Sequence, residues 1–178
     1  MKKKAIILSG NLVQDHEFIY PFYRLLEEGF KVDVCLNEGK PVKGILGTDI
    51  PPNKNHPVKK INSINTKDYD FMVIPGGVKA LEKVRQNKDI INFISKFHEE
   101  GKLIACICSG AQLLISAKIV KSKKISGYYS MKDDIENAGA IYTDLPAVID
   151  DKIVTTAHYK DLGPWMKAVL SEFYKSNK

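Results

Sequence analysis

Between Lys102 and Ala117 the chain changes its hydrophobic period in a single step, and that step limits the folds open to it. Leu103-Ile104-Ala105-Cys106-Ile107 is continuously apolar, the pattern of a parallel strand buried on both faces. At Cys108-Ser109-Gly110 the run stops, and Ala111, Leu114, Ile115 and Ile119 recur at helical spacing. A strand that turns so sharply into a helix puts Cys108 in a nucleophile elbow, the geometry of the G-x-S-x-G hydrolases. There the next backbone N–H groups face the sulfur, and the helix N-terminus favours a thiolate over a thiol. Gly110 lets the helix approach the strand closely. Cys108 is the centre of the expected site.

The remaining segments fit the same plan. Lys4 to Ser9 reads as a strand and Asn11 to Asp15 is polar. Phe18, Phe22, Leu25 and Leu26 then mark a helix capped at Gly29. Pro21 removes a donor inside that helix and predicts a bend, with Glu17 in the short first turn. Lys31 to Leu36 alternates as a second strand. Gly39 to Pro57 has no helical period and carries a small hairpin, Val42-Lys43-Gly44 to Thr48-Asp49-Ile50. Asp70 to Ile74 is a strand cut off by Pro75-Gly76-Gly77, and helical pieces follow at Ala80 to Arg85 and Lys88 to Glu100. Beyond the elbow come a strand at Lys123 to Ser126, a helix at Met131 to Ala138 and a strand at Ala140 to Tyr142. Val148 to Val154 reads as a hairpin turned at Asp150-Asp151, and Leu162 to Tyr174 as the closing helix. Strands alternating with helices predict an α/β fold, a mainly parallel sheet with helices on both faces.

With 178 residues, 44% of them apolar, the chain can bury one core, and no linker divides 1–178 into more than one domain. No apolar run is long enough to span a membrane, and Ala5 to Leu8 is too short for a signal-peptide core. Three cysteines argue against a disulfide framework and for a reducing, cytoplasmic compartment. The net charge of +6 comes from scattered lysines with no interleaved aromatics, a solvated surface rather than a nucleic-acid groove.

In sheets of this kind, ligands bind outside the carboxyl ends of the strands. Three junctions fall there: Ser9 to Glu17 offers a carboxylate, Ile74 to Gly77 glycine N–H groups, and Ile107 to Gly110 a thiol. Cys108 would be the nucleophile, its pKa lowered by the elbow; the plainer alternative is a small buried hydrophobe, the role left to Cys35 and Cys106. Glu17 could move a proton beside it, or could simply be an acid near a helix start. Gly76 and Gly77 could hold a developing oxyanion, or could only end a strand. His158 follows the strand Ile153 to Thr156 and could reach the sheet edge, or could hydrogen-bond locally. No residues have metal-ligand spacing, and no cofactor is implied.

Three motifs in order, Glu17-Phe-Ile-Tyr-Pro21, Tyr69-Asp-Phe-Met-Val-Ile-Pro-Gly-Gly77 and Ala105-Cys-Ile-Cys-Ser-Gly-Ala-Gln-Leu-Leu114, closely resemble the PfpI/ThiJ superfamily. Lys132-Asp-Asp-Ile-Glu-Asn-Ala-Gly139 and Leu162-Gly-Pro-Trp-Met166 are similar to its PfpI branch. The resemblance implies a flavodoxin-like three-layer sandwich of the class I glutamine amidotransferase type, assembled as a homodimer or larger. It also implies an oxidation-prone nucleophile at Cys108, hydrogen-bonded to Glu17, with donors around Gly77 and Ser109. Three departures stand out. Ser109 occupies the place of the protease histidine, and Tyr128 the place where other branches carry one. Glu82 lies near a carboxylate of the protease-type members, shifted by one residue. The leading expectation is a stress-protective enzyme that attacks small electrophilic carbonyl compounds, glyoxalase- or deglycase-like. The alternatives are a redox sensor or holdase that oxidises Cys108 without turnover, and a peptidase or amide or isonitrile hydrolase, of which Ser109 disfavours the peptidase.

Overall fold

In the computed structural model residues 3–176 are described; Met1, Lys2, Asn177 and Lys178, which the single-domain reading of 1–178 includes, lie outside them. The chain begins with β1 (Lys4–Ser9), α1 (Asp15–Glu27) and β2 (Lys31–Leu36). Three two-residue strands follow: β3 (Val42–Lys43), β4 (Asp49–Ile50) and β5 (Val58–Lys59). Then come β6 (Phe71–Ile74), α2 (Val78–Val84), α3 (Lys88–Glu99) and β7 (Leu103–Ile107), and a 3-10 turn at Cys108–Gly110 leads into α4 (Ala111–Ser116). The last third holds β8 (Lys124–Ile125), α5 (Lys132–Asn137), β9 (Ile141–Tyr142), β10 (Val148–Asp150), β11 (Ile153–Thr156) and α6 (Leu162–Ser176).

Seven strands form one sheet in the order β10-β11-β7-β6-β1-β2-β5, parallel throughout except for β10. Every residue of β6 and β7 is buried, as is every residue of β1 after Lys4, which is why these segments read as unbroken apolar runs. Helices α1 and α6 pack together on the sheet, and α2, α3 and α4 form a second group, giving the flavodoxin-like sandwich. Trp165 of α6 is fully buried and donates its indole N–H to Val154 O at 3.1 Å, tying that helix to β11. The register aligns Ile74 with Cys106 and Thr156 with Ile107, so the ends of β6, β7 and β11 reach the same edge. No helix among the described residues is long and apolar enough to cross a membrane.

Several boundaries differ from the sequence reading. Helix α1 runs unbroken through Pro21, whose missing N–H leaves the Glu17 carbonyl without its usual partner four residues on. The β10–β11 turn is centred on Asp151 and Lys152, both at positive φ (44° and 63°), because Asp150 still pairs with Ile153. Helix α4 stops at Ser116, short of Ile119, and Lys118 at φ 59° turns the chain away. Strand β5 was not expected; two residues at a sheet edge carry no periodic signal.

Candidate active site

Cys108 adopts φ 60°, a left-handed conformation that a residue with a Cβ enters only where its surroundings impose it. The surroundings here are the end of β7 and the 3-10 turn, so the strand-to-helix elbow is present. The close approach expected at Gly110 is also present. A Cβ on Gly110 would lie 2.8 Å from Cys106 Sγ and 2.9 Å from the Ile74 carbonyl oxygen. Cys35 and Cys106 are buried within strands, whereas Cys108 is partly exposed.

Glu17 sits in the first turn of α1, fully buried at 0% exposure. Its Oε2 accepts the Gly76 N–H at 2.7 Å, and the Cys108 side chain interacts with the same carboxyl. Oε1 is buried without a partner of ordinary hydrogen-bond geometry. Gly76 lies between the two groups, since a Cβ there would stand 2.4 Å from Glu17 Oε2 and 3.1 Å from Cys108 Sγ. The expectation that Gly76 offers an oxyanion donor is therefore corrected: its N–H is spent on holding Glu17. Gly77, at φ 105°, precedes α2, and its N–H meets no acceptor among the described residues. Ser109 directs its N–H at the Cys108 sulfur, and Gly77 lines the same cleft.

A second correction concerns charge. Burial pushes the Cys108 thiol up to about 12, the Glu17 carboxylate adds to the rise, and the Ser109 N–H and hydroxyl oppose it without prevailing. Burial likewise raises Glu17 to about 7, against the Gly76 N–H and the Cys108 thiol, which both lower it. The elbow does not keep a standing thiolate, because α4 has only six residues while burial and a neighbouring carboxylate act at contact distance. We expect Glu17→Gln, which removes that negative charge, to accelerate alkylation of Cys108 by iodoacetamide near pH 9 by about tenfold or more. The pH dependence of the alkylation rate, followed by peptide mass spectrometry, checks this.

A cleft of 510 Å³ opens above Cys108 and Glu17, and Gly77, Ser109, Tyr128 and His158 all line it. The Tyr128 N–H donates to Cys108 O at 3.1 Å, and the Tyr128 ring is 39% exposed. His158 Nδ1 accepts the Lys160 N–H at 3.1 Å, the local bond foreseen as its alternative, and its ring centroid lies 4.0 Å from that of Tyr159. Gln14, Ile45, Gln112 and Tyr159 also line the cleft and were missed. Of these, only Gln112, four residues after the cysteine on the expected helix, carried a spacing signal. Ile45 is brought there by Asp15, whose carboxylate accepts the Leu46 and Thr48 N–H groups at 2.8 and 3.1 Å and pins the loop over α1. Among the described residues no three His, Cys, Asp or Glu side chains are grouped so that they could hold a metal ion.

The profile of the DJ-1/PfpI family matches residues 3–172. The chain belongs to the DJ-1/PfpI family. Within that family, the deglycase PfpI of Pyrococcus furiosus is 36% identical over 164 residues, covering 92% of this chain and 95% of that protein. General stress protein 18 of Bacillus subtilis is 33% identical over 165 residues, covering 91% and 92%. Among solved structures, a two-domain protein of Anabaena variabilis with DJ-1/ThiJ/PfpI-like and ferritin-like domains superposes with a TM-score of 0.88 at 33% identity. That match covers 96% of this chain and 48% of the other. The elbow, the buried carboxyl and the cleft thus lie inside the stretch that defines DJ-1/PfpI membership.

Proposed function

We propose that this protein is a cysteine-dependent enzyme of the deglycase or glyoxalase kind, acting on small reactive carbonyl compounds with Cys108 as nucleophile. The observation that carries this reading is a partly exposed sulfur at a positive-φ elbow whose side chain meets a fully buried carboxyl. The deglycase and stress-protein names of its relatives support the same role. A carboxyl titrating near 7 is poised both to take a proton and to return it at neutral pH. The nucleophile is then generated as it attacks. The sulfur bonds to the aldehyde carbon, the carbonyl electron pair moves to oxygen between the Gly77 and Ser109 N–H groups, and the thiol proton passes to Glu17. Glu17 hands that proton to the new alkoxide, giving a hemithioacetal.

With a 2-oxoaldehyde, Glu17 next takes the proton from the sulfur-bearing carbon and delivers it to the neighbouring carbon. A thioester results, and water releases a 2-hydroxy acid and the free thiol. The balance is one 2-oxoaldehyde and one water to one 2-hydroxy acid, with no external oxidant. Peptidase chemistry fits less well. Ser109 stands beside the cysteine, and His158, which lines the cleft, spends Nδ1 on Lys160. The test is conversion of methylglyoxal to lactate by the purified protein without glutathione. Cys108→Ser is expected to lose at least about a hundredfold in kcat/KM. A wild-type protein inert toward methylglyoxal across the neutral range would overturn the reading.

A further inference from the structure

Gln112 lies on the first turn of α4, is 8% exposed, and lines two hollows. One is the cleft over Cys108; the other, on its outer side, is also lined by Arg85, which does not reach the cleft. Arg85 donates from Nη1 to Gln112 Oε1 at 3.4 Å and from Nε to Ser116 Oγ at 3.1 Å. A guanidinium has no acceptor, so this contact decides which way the amide faces: oxygen toward Arg85, nitrogen away from it. Gln112 lines the cleft over Cys108 and Arg85 does not, so the nitrogen is the end of the amide left for the cleft. Gln112 Nε2 has no acceptor among the described residues and is not sealed from solvent, so a neutral N–H donor is held ready at the cleft wall.

We propose that Gln112 is a specificity-determining residue, donating its Nε2–H to an oxygen carried on the carbon next to the one that Cys108 attacks. The cleft would then select 1,2-dicarbonyls and other carbonyl compounds with a vicinal oxygen over simple aldehydes. The proposal rests on the reading of Cys108 as nucleophile. Gln112 is the second residue of α4, four positions after Cys108, and the two line the same cleft. A carbon–sulfur bond, one vicinal oxygen and a hydrogen bond of about 2.9 Å are the links that would join them. A reagent without the vicinal oxygen makes no such bond and leaves the amide to water, so it gains nothing from Gln112. Arg85 is a positioning residue: without it the amide rotates, and its oxygen faces the cleft as readily as its nitrogen.

The test compares alkylation of Cys108 by iodoacetamide, which carries oxygen on the carbon next to the reacting one, and by ethyl iodide, which does not, alongside methylglyoxal turnover. Gln112→Leu is expected to slow iodoacetamide and methylglyoxal roughly 10- to 100-fold while ethyl iodide changes less than about twofold. Arg85 is exposed, so Arg85→Ala preserves the fold, and it should give a smaller loss of the same kind that Arg85→Lys largely restores. An unchanged iodoacetamide-to-ethyl iodide ratio in both Gln112→Leu and Arg85→Ala overturns the proposal, whether or not the wild type turns over methylglyoxal. A ratio that falls in a protein without turnover overturns the catalytic reading and upholds the selection by Gln112.

Discussion

Near pH 8 the Glu17→Gln variant melts several degrees above the wild-type protein, and near pH 4 the two melt together. The cause is the buried carboxyl, which titrates at 4.5 in a solvated chain and at about 7 in the folded one. A group that binds its proton more tightly when folded contributes its stability in full below about 4.5, and that contribution is lost as pH rises through about 7. Above that point the native state holds an ionised carboxylate away from water. The interval corresponds to roughly 3 kcal/mol, at about 1.4 kcal/mol per tenfold. Glutamine cannot ionise, yet its amide oxygen can still accept the Gly76 N–H that Glu17 Oε2 accepts at 2.7 Å. The variant therefore keeps the hydrogen bond and avoids the buried charge. A stabilisation of roughly 3 kcal/mol raises the melting temperature of a chain this size by about 6–12 °C. On the proposed mechanism the same substitution removes the proton acceptor, and methylglyoxal turnover is expected to fall by about 100-fold or more. Thermal melts at the two pH values, with kinetics on the same samples, check both halves. Equal melting temperatures at pH 8 would mean that Glu17 is not a strained, proton-hungry carboxyl.

The sheet was legible because its three central strands are buried on both faces, so that Ile6 to Leu8, Phe71 to Ile74 and Leu103 to Ile107 leave the hydrophobic pattern no other reading. The elbow was legible for the same reason: apolar strand and helical period meet at one residue, and Cys108 does take the positive φ that such a junction demands. What the pattern could not carry was the partition of hydrogen bonds. Gly76 and Gly77 look alike as letters, but one N–H is turned to Glu17 and the other is left open. Nor does a sequence reveal that the cysteine at the elbow is raised rather than lowered, because that depends on how deeply a carboxyl ninety-one positions earlier is buried beside it. Ile45 reaches the cleft only through the Asp15 carboxylate that pins its loop, a long-range contact with no period to betray it.

Two glycines at positive φ separate backbone strain from crowding at the site. Gly29 (φ 79°) follows α1, and a Cβ added there would meet nothing within 4 Å. Gly77 (φ 105°) precedes α2, and a Cβ there would stand 2.6 Å from Gln14 N, 2.8 Å from Leu12 O and 2.9 Å from Val13 Cα. All three are backbone atoms, so no flexible side chain can swing aside. Gly29→Ala should therefore cost only the left-handed conformation, about 1 kcal/mol, and leave activity intact. Gly77→Ala adds displacement of residues 12–14, the segment that starts α1 and so carries Glu17 into contact with Cys108. We expect it to lose roughly 3 kcal/mol or more, and what folds should have lost most turnover, because the carboxyl and the open Gly77 N–H move together. Urea denaturation of both variants gives the stability difference, and kinetics on the folded fraction gives the other. If Gly77→Ala behaved like Gly29→Ala in both, the close approach of the two loops would have no part in building the site.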